Sequence, residues 1–578
     1  MIQIVPLSRP PTHEGEGVRP LFYDGLVFCF VFAVFSVFLL IGRYWLSAAV
    51  PAAYISRSPR MLPLYSLYSL VRIGIAYVLS LLFAVGYGYV AAYNRRLEPV
   101  MIALLDILQS IPVLSFLPGV MLAMVALFPS RQLGVELGAI VLIFTGQVWN
   151  MAFSFYSSLR SIPRELREAS RIYGFSAWQR FFQLELPYGA IGLVWNSMVS
   201  VAGGWFFLMA CEMFVLGKRD FRLPGLGSYL QTAAGAGDTP AMLWGLATMI
   251  GVIVLLDQAV WRPVIAWSDK FKFEQVESAD HSASPILDLL RRSRALDIWR
   301  TRVGAPLWET LGRHFALRKA RAVSARTGVW NFIGTVVLGV LFLAGVVWGA
   351  VQAGTLLHGA TRADVALTMR AAGVTFLRVA VSLAIASLWT IPAGVAIGFH
   401  PRLARIAQPL SQIAASVPAT ALFPVLLLAI VRAGGGLGAG SILLMLLGTQ
   451  WYILFNVIAG AIAIPSDLKE AADIFRFRSL DRWRTLILPG IFPYLVTGLV
   501  TASGGAWNAS IVAEYFHFQD RILSTFGLGA EISSATDSGR FDTLLLATIV
   551  MALLVVSVNR MVWRPLYRLA ETRYKLET

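Results

Sequence analysis

Long runs without a charged residue divide this 578-residue chain into segments of bilayer length. Soluble domains carry about 25% charged residues, whereas this chain carries 14%. A run of this length crosses a bilayer core as a helix, which satisfies its own backbone hydrogen bonds there. The runs are 25–42, 73–94, 107–130, 137–159, 186–211, 239–256, 327–361, 379–400, 406–431, 433–466, 485–513 and 543–559. The sequence therefore predicts an all-α membrane protein with about twelve transmembrane helices.

The positive charge of the chain indicates its orientation. The net charge is +16, and most of the 48 Lys and Arg lie in segments that share one side of the membrane. By the positive-inside rule that side is cytoplasmic, so we expect both termini inside the cell. Because the basic residues lie in short loops between apolar runs, we expect contact with the lipid bilayer and no binding of nucleic acid.

The two halves of the chain repeat one pattern. At a spacing of 302 residues the single-residue matches are Gly146 with Gly448, Trp149 with Trp451, Pro163 with Pro465, and Glu212 with Glu514. At the same spacing, residues 225–227 match 527–529, and residues 261–263 match 563–565. At a spacing of 306 they are Arg72 with Arg378, Pro112 with Pro418, and Pro118 with Pro424. Each half has six runs, an even number, so the halves are predicted to be parallel six-helix repeats with a pathway at their interface.

The repeat defines the predicted organisation of the chain. The chain is predicted to comprise an N-terminal cytoplasmic tail at 1–20, a first repeat at 21–268, a cytoplasmic linker at 269–326, a second repeat at 327–567 and a C-terminal cytoplasmic tail at 568–578. Within the linker, residues 286–317 have apolar positions at helical spacing and many arginines. That pattern fits either a membrane-surface helix or a solvated linker helix.

Each half carries one polar, arginine-rich segment, which we name the first island (residues 165–187) and the second island (residues 467–489). The second reads DLKEAADIFRFRSLDRWRTLILP. Pro163 and Pro465 stand where a helix can start, and small residues at the helix centre allow close approach of another protein. A solvated loop explains the arginines, but it does not explain why a glutamate and a proline are 19 residues apart in both islands.

The islands resemble the signature loop of permease subunits of binding-protein-dependent ABC importers. That signature is Glu-Ala-Ala, three residues, Gly, nine residues, an aliphatic residue, one residue and Leu-Pro. The matching positions are Glu168, Ala169, Ser170, Gly174, Leu184, Leu186 and Pro187, then Glu470, Ala471, Ala472, Arg476, Leu486, Leu488 and Pro489. Arg476 departs from the glycine of the signature, so we expect the turn to form less easily there and the two islands to be unequal.

The resemblance covers essentially the whole chain and implies a fused pair of type I importer permease repeats. It implies that each island is a coupling helix seated on one of two cytoplasmic ATP-binding subunits, and that an extracytoplasmic binding protein delivers the solute. The chain has no Gly-x-x-x-x-Gly-Lys-Ser/Thr phosphate loop. We therefore expect a transport subunit of a bacterial inner membrane that is not an enzyme, without metal or cofactor of its own, with ATP and Mg bound by its partners.

A finer resemblance concerns the fifth run of each half. Residues 211–213 and 513–515 read Cys-Glu-Met and Ala-Glu-Tyr, and each is followed by Gly-Leu-Gly. Together with Ser-Ile-Pro at 110–112 and Ser-Val-Pro at 416–418, they resemble the branch of the family that carries nitrate, taurine, sulfonates or bicarbonate.

Several matched residues are candidates for the pathway or its gate. They are Glu212, Glu514, Trp149, Trp451, Pro112 and Pro418. Intramembrane acids are functional candidates, but the glutamates could equally hold an outer loop by hydrogen bonds, and the tryptophans could pack. Arg72 and Arg378 could pair with the glutamates or anchor the interface. Glycine pairs at 203–204 and 504–505 could break the fifth helices, and the prolines predict irregular third spans.

Two other classes of protein remain open at this point. A secondary transporter driven by an ion gradient would need buried acids or histidines in mid-span, whereas Asp106 and Asp257 lie at the ends of runs. A membrane-embedded enzyme would need clustered His, Cys or Asp, and the 6 histidines are scattered.

Overall fold

The computed structural model describes residues 54–129, 132–216, 219–271, 347–432, 434–518 and 521–573, most of 294–312, and a few positions between 25 and 47 and at 344. Most of the predicted first run at 25–42, more than half of the seventh at 327–361, and much of the linker lie outside these residues. Both predicted tails lie outside them as well, apart from residues 568–573.

The first half is built almost wholly of helices. Its α-helices are α1 (Leu62–Tyr93), α2 (Glu98–Ser110), α3 (Leu117–Leu127), α4 (Leu133–Ser161), α5 (Arg164–Ile172), α6 (Ala177–Arg180), α7 (Leu186–Glu212), α8 (Leu226–Gly235), α9 (Thr239–Leu256) and α10 (Arg262–Ser268). Short 3-10 helices cover Pro59–Met61, Val113–Phe116 and Asp269–Phe271, and π-helical turns cover Phe181–Glu185 and Asp257–Trp261. Strands β1 (Val215–Leu216) and β2 (Arg219–Asp220) form an antiparallel hairpin after α7.

The linker contributes α11 (Arg294–Trp299), which continues into a π-helical turn at Arg300–Gly304. The second half then repeats the first. Its helices are α12 (Arg362–Phe399), α13 (Pro401–Ser416), α14 (Ala419–Arg432), α15 (Leu437–Ala463), α16 (Ser466–Ile474), α17 (Ser479–Arg482), α18 (Leu488–Ala513), α19 (Leu528–Ser538), α20 (Phe541–Val558) and α21 (Arg564–Arg573). The hairpin of β3 (Tyr515–Phe518) and β4 (Arg521–Ser524) follows α18, and π-helical turns recur at Trp483–Ile487 and Asn559–Trp563.

Eight described helical segments are long and apolar enough to cross a bilayer. They are Pro59–Tyr93, Leu133–Ser161, Ala177–Glu212, Thr239–Ser268, Arg362–Phe399, Leu437–Ala463, Ser479–Ala513 and Phe541–Ala570. Shorter apolar helices at Val113–Leu127 and Ala419–Ile430 correspond to the third run of each half. The predicted class of all-α membrane protein is confirmed, and the chain is a multi-pass integral membrane protein.

Prolines make the third run of each half irregular. Ile111 and Val417 have extended backbone conformations, with ψ of 127° and 116°. A residue before proline is driven out of the helical region because the proline ring clashes with it. The helix therefore stops before Pro112 and Pro418 and starts again after them, and neither piece spans a bilayer alone.

One prediction about the fifth spans is wrong. The glycine pairs at 203–204 and 504–505 break neither helix, since α7 and α18 run through them without interruption. Gly204 instead allows a close approach, because a Cβ there would overlap the side-chain amide of Gln147. Gly204 therefore serves packing between neighbouring spans.

The two halves share one core. In each half the second, fourth and fifth spans pack together, and α14 also contacts α7 of the other half. The Val113–Phe116 turn contacts α18 in the same way. The Thr548 hydroxyl donates a hydrogen bond of 3.2 Å to the Ser115 carbonyl across the two halves. The interface therefore involves the third, fifth and sixth spans of both halves.

Candidate functional site

The island helices α5 and α16 begin directly after Pro163 and Pro465. Each proline carbonyl accepts the first helical hydrogen bond, from the backbone N–H of Arg167 or Lys469 at 3.3 Å. Because proline fixes its own φ near the helical value, it sets the direction in which the chain leaves the fourth span. Glu168 and Glu470 are exposed on these helices, Ala169 and Ala471 are half-buried, and Ser170 and Ala472 are buried.

A basic side chain anchors each island helix to the end of the fourth span. Arg167 Nη2 donates to the Leu159 carbonyl at 2.6 Å, and Lys469 Nζ donates to the Ala461 carbonyl at 3.2 Å. These carbonyls belong to a helix C-terminus, where cations are favourable. Burial and the neighbouring Arg482 lower the pKa of Lys469. The anchoring contact occurs at matched positions in both halves.

The turn after each island helix has the same geometry in both copies. Gly174 has a φ of 66°, and Arg476 has a φ of 49°. In the first copy the N–H groups of residues 173–175 donate to carbonyls at 2.9, 3.0 and 3.0 Å; in the second copy, those of residues 475–477 donate at 2.9, 3.1 and 3.1 Å. The arginine therefore occupies a left-handed conformation that glycine adopts more easily. The turn is retained despite the arginine.

Each turn presents two large apolar side chains to the surface. The exposed fractions are 82% for Ile172, 78% for Tyr173, 77% for Ile474 and 73% for Phe475. They follow an amphipathic helix at the same end of the bundle in both halves. Adjacent exposed apolar residues with a polar rim are typical of a protein interaction site. Pro187 and Pro489 then lie at the start of α7 and α18, directly after the π-helical turns.

The opposite ends of α7 and α18 hold a buried charge cluster. Glu212 Oε1 accepts hydrogen bonds from Ser69 Oγ at 2.6 Å and from Arg72 Nη1 at 2.8 Å. Glu212 Oε2 accepts one from the backbone N–H of Gly227 at 2.7 Å. Arg72 Nη1 also donates to the Pro224 carbonyl at 2.8 Å. The cluster joins the second span, the fifth span and the segment after the hairpin.

The second half repeats this cluster at the matched residues. Glu514 Oε1 accepts from Thr375 Oγ1 at 2.8 Å and from Arg378 Nη1 at 2.9 Å, and its Oε2 accepts from the N–H of Gly529 at 2.9 Å. Gly225 and Gly527 are required beside it, because a Cβ at either would overlap the glutamate carboxylate. The sequence left two roles open for Arg72 and Arg378, namely pairing with the glutamates or anchoring the interface. The structure shows the pairing.

One acid distinguishes the two clusters. Glu136 is wholly buried and binds Arg72 through both oxygens, at 2.6 Å to Nε and 2.7 Å to Nη2. In the second half Arg378 Nη2 instead donates to the Thr525 hydroxyl at 2.8 Å. Sequence reasoning missed Glu136 because it has no acidic counterpart in the second half, so the repeat gave no signal for it.

The remaining candidates for the pathway lie in packed surroundings. Trp149 and Trp451 are half-buried on the fourth spans, and the Trp451 ring meets the Trp389 ring edge-on at 6.4 Å. Pro112 and Pro418 are buried at the breaks of the third spans. These positions and the engaged carboxylates of Glu212 and Glu514 favour structural roles, and their part in a pathway stays a prediction.

Uncharged polar atoms are buried without partners on the fourth and fifth spans. Among the described residues they include both amide atoms of Gln147, the Ser200 hydroxyl and the Trp507 indole N–H. An unpaired buried polar group is unfavourable unless it meets a partner. The signal was available in the sequence as Gln147 within an uncharged run. Also within the described part, no three His, Cys, Asp or Glu residues are grouped closely enough to hold a metal ion.

Comparison with known proteins gives the same repeat. The family described as "Binding-protein-dependent transport system inner membrane component" matches residues 76–260 and again 390–563. These two segments together make up more than half of the chain.

Individual relatives match about a third of this chain, and the chain spans less than two thirds of the length of each. The nitrate import permease protein NrtB of Leptolyngbya laminosa is 29% identical over 185 residues, which are 32% of this chain and 63% of the relative. The bicarbonate transport system permease protein CmpB of Synechococcus elongatus is 27% identical over 32% of this chain and 63% of its own. The taurine transport system permease protein TauC of Escherichia coli (strain K12) is 29% identical over 31% and 61%.

Proposed function

Since the chain belongs to the family of binding-protein-dependent inner membrane transport components, we propose that it supplies both permease halves of one ATP-driven importer. It is a transport permease, and its two halves form one translocation pathway. Two ATP-binding subunits bind the islands on the cytoplasmic side of a bacterial inner membrane. A binding protein delivers the solute to the opposite side.

The repeated geometry of the islands carries the proposal. Helix, turn and exposed apolar pair recur 302 residues apart, although one turn contains a glycine and the other an arginine. A loop that only satisfied the positive-inside rule would not need to keep a strained turn. Two equivalent surfaces at one end of the bundle fit two copies of one kind of partner, and the exposed aromatic of each would anchor it.

We assign the solute to the small oxyanions and sulfonates that the names of the relatives indicate. Their oxygens accept hydrogen bonds. The unpartnered donors of Gln147, Ser200 and Trp507 could bind such oxygens without a fixed positive charge. A neutral site favours release, because a buried ion pair would hold an anion too firmly for transport.

The proposed mechanism is alternating access. Binding of ATP closes the partner subunits and draws the islands together. The halves then move against each other at the third and fifth spans, where α7 meets α14. The buried clusters around Glu212 and Glu514 keep the second span, the fifth span and the hairpin segment of each half together during that motion. Hydrolysis of ATP resets the pathway.

The test changes Glu168 and Glu470 to alanine, singly and together. Both are exposed on the island helices, so the fold should tolerate the changes. We expect solute uptake by the double variant in reconstituted vesicles to fall at least tenfold, with loss of solute-stimulated ATP hydrolysis. Glu309→Ala, an exposed acid in the linker, is the control. Uptake at the parent rate in the double variant would remove the coupling role of the islands.

A further inference from the structure

A buried acid ties the first island to the second span. Glu185 lies on the π-helical turn between α6 and α7 and has no exposed surface. Its Oε1 accepts hydrogen bonds from the Tyr93 hydroxyl at 2.6 Å and from Arg180 Nε at 2.7 Å. The Arg180 guanidinium also lies over the Tyr93 ring, 5.2 Å from its centre. Tyr93 is the last residue of α1.

The second half lacks this connection although its backbone is the same. The matched positions are Phe399 for Tyr93, Ile487 for Glu185 and Arg482 for Arg180. With no carboxylate at residue 487, Arg482 instead binds the exposed Asp473 of the island helix at 2.8 Å. Its guanidinium lies 5.9 Å from the centre of the Phe399 ring. Among the described residues, the first island alone has a hydrogen-bonded link to the end of its second span at this position, through Glu185.

With this link, α1 and α7 of the first half are bonded to each other at both ends. At one end of the bundle Arg72 of α1 binds Glu212 of α7. At the other end Tyr93 of α1 binds Glu185, which directly precedes α7. The two helices are thus held at both ends by charge-assisted hydrogen bonds, which are stronger than neutral ones. Among the described residues of the second half, the corresponding helices are held by such bonds at one end, where Glu514 accepts from Thr375 and Arg378.

A buried carboxylate is an unfavourable choice for stability alone. Taking the charge out of water costs several kcal/mol, and a hydrophobic residue of similar volume is often as good. The second half shows this directly, because Ile487 fills the same position and is buried. Glu185 Oε2 has no hydrogen-bond partner in the described residues, so only one oxygen of the buried carboxylate is hydrogen-bonded there. The acid is better explained by a mechanical role.

We propose that Glu185 is a positioning residue for energy coupling, and this rests on the proposed function. It makes the first island, the start of α7 and the end of α1 one rigid unit, so motion of the first ATP-binding subunit moves the span directly. The second island transmits motion through apolar contacts, the approach of Lys469 and Arg482 to the Phe399 ring, and a partly exposed ion pair. The two halves therefore contribute unequally to transport, because the connection between island and span is more rigid in the first half.

The test compares Glu185→Gln and Tyr93→Phe in the full chain, reconstituted with its ATP-binding subunits and binding protein. The readout is the number of ATP molecules hydrolysed per solute imported, which a purely structural role would not change. We expect this ratio to rise at least threefold in both variants. Glu98→Gln is the matched control, because Glu98 also binds a tyrosine hydroxyl, that of Tyr156 at 2.6 Å, but lies outside the islands.

The reverse substitution, made in the second half, is a second test with the same readout. Phe399→Tyr with Ile487→Glu installs the missing pair in the second half, and we expect the ratio of ATP to solute to fall below that of the parent. Tyr93→Phe decides the matter if Glu185→Gln fails to fold. Ratios in the Tyr93 and Glu185 variants equal to that of Glu98→Gln would overturn the proposal. If the parent complex hydrolyses no ATP during import, the proposed function itself fails.

Discussion

At the scale of single residues, Arg476 is the clearest departure from the repeat. It holds a left-handed backbone conformation with a φ of 49°, which costs an L-residue about 1–2 kcal/mol. We expect Arg476→Gly to slow amide hydrogen exchange at residues 475–477, because the turn then forms without strain. Gly174→Arg should quicken exchange at residues 173–175. Hydrogen exchange followed by mass spectrometry measures both, and equal rates in all variants would show that the turns carry no strain.

The two buried arginines should differ in their effect on stability. The side chain of Arg72 is 1% exposed and binds two buried acids, whereas that of Arg378 is 12% exposed and binds one. Removing one partner of a buried pair destabilises a protein by about 3–5 kcal/mol, because the other charge stays buried. We therefore expect Arg72→Met to lower the melting temperature in detergent more than Arg378→Met.

Arg57→Met is the control for that comparison. Arg57 pairs with Asp238 at 3.4 Å, but 48% of its side chain is exposed, and such surface pairs contribute about 0–1 kcal/mol. The expected order of destabilisation is Arg72, then Arg378, then Arg57. A melting temperature of the Arg72 variant no lower than that of the Arg57 variant contradicts the account of the cluster.

At the scale of elements, the island is the proposed unit of docking. Its helix and turn leave Ile172 and Tyr173, or Ile474 and Phe475, on the surface. Burying a large apolar side chain contributes about 1.5–3 kcal/mol. We expect Ile172→Ser with Tyr173→Ser to reduce the amount of ATP-binding subunit that copurifies with the chain, and the matching pair in the second half to do the same. Quantitative mass spectrometry of the purified complex measures this.

The control for docking is Val303→Ser in the linker, an exposed apolar residue on the same predicted side. It should leave copurification at the parent level. Copurification that is unaffected by all four island substitutions together would mean that the exposed pairs do not face the partner.

The elements differ in how far the sequence predicted them. The starts of α5 and α16 follow from Pro163 and Pro465, whose effect is local. The packing of Gly225 against Glu212 and the pairing of Arg72 with Glu136 involve residues far apart in the chain. Periodicity does not report such contacts. The repeat indicated pairs that exist in both halves, and Glu136 and Glu185 escaped it because each occurs in one half only.

At the scale of the whole molecule, the account requires the halves to move against each other. Tyr452 of the second half lies close to Gly203 of the first, since a Cβ at Gly203 would be 3.9 Å from the tyrosine hydroxyl. We expect Gly203→Cys with Tyr452→Cys, in a chain without Cys29 and Cys211, to be bridged by a bifunctional methanethiosulfonate reagent whose spacer replaces the length of the tyrosine side chain. The bridge should stop uptake, and reductant should restore uptake. Uptake at the full rate in the cross-linked form would show that transport needs no motion at this interface.

In the proposed mechanism, ATP hydrolysis that is transmitted through the two islands of one chain drives import. The most direct measurement is solute accumulation in vesicles that contain this chain, its copurified ATP-binding subunits and binding protein. We predict that accumulation requires ATP on the side of the islands and persists when ionophores collapse every ion gradient. Accumulation without ATP that disappears with the ionophores would contradict the account and indicate a gradient-driven transporter.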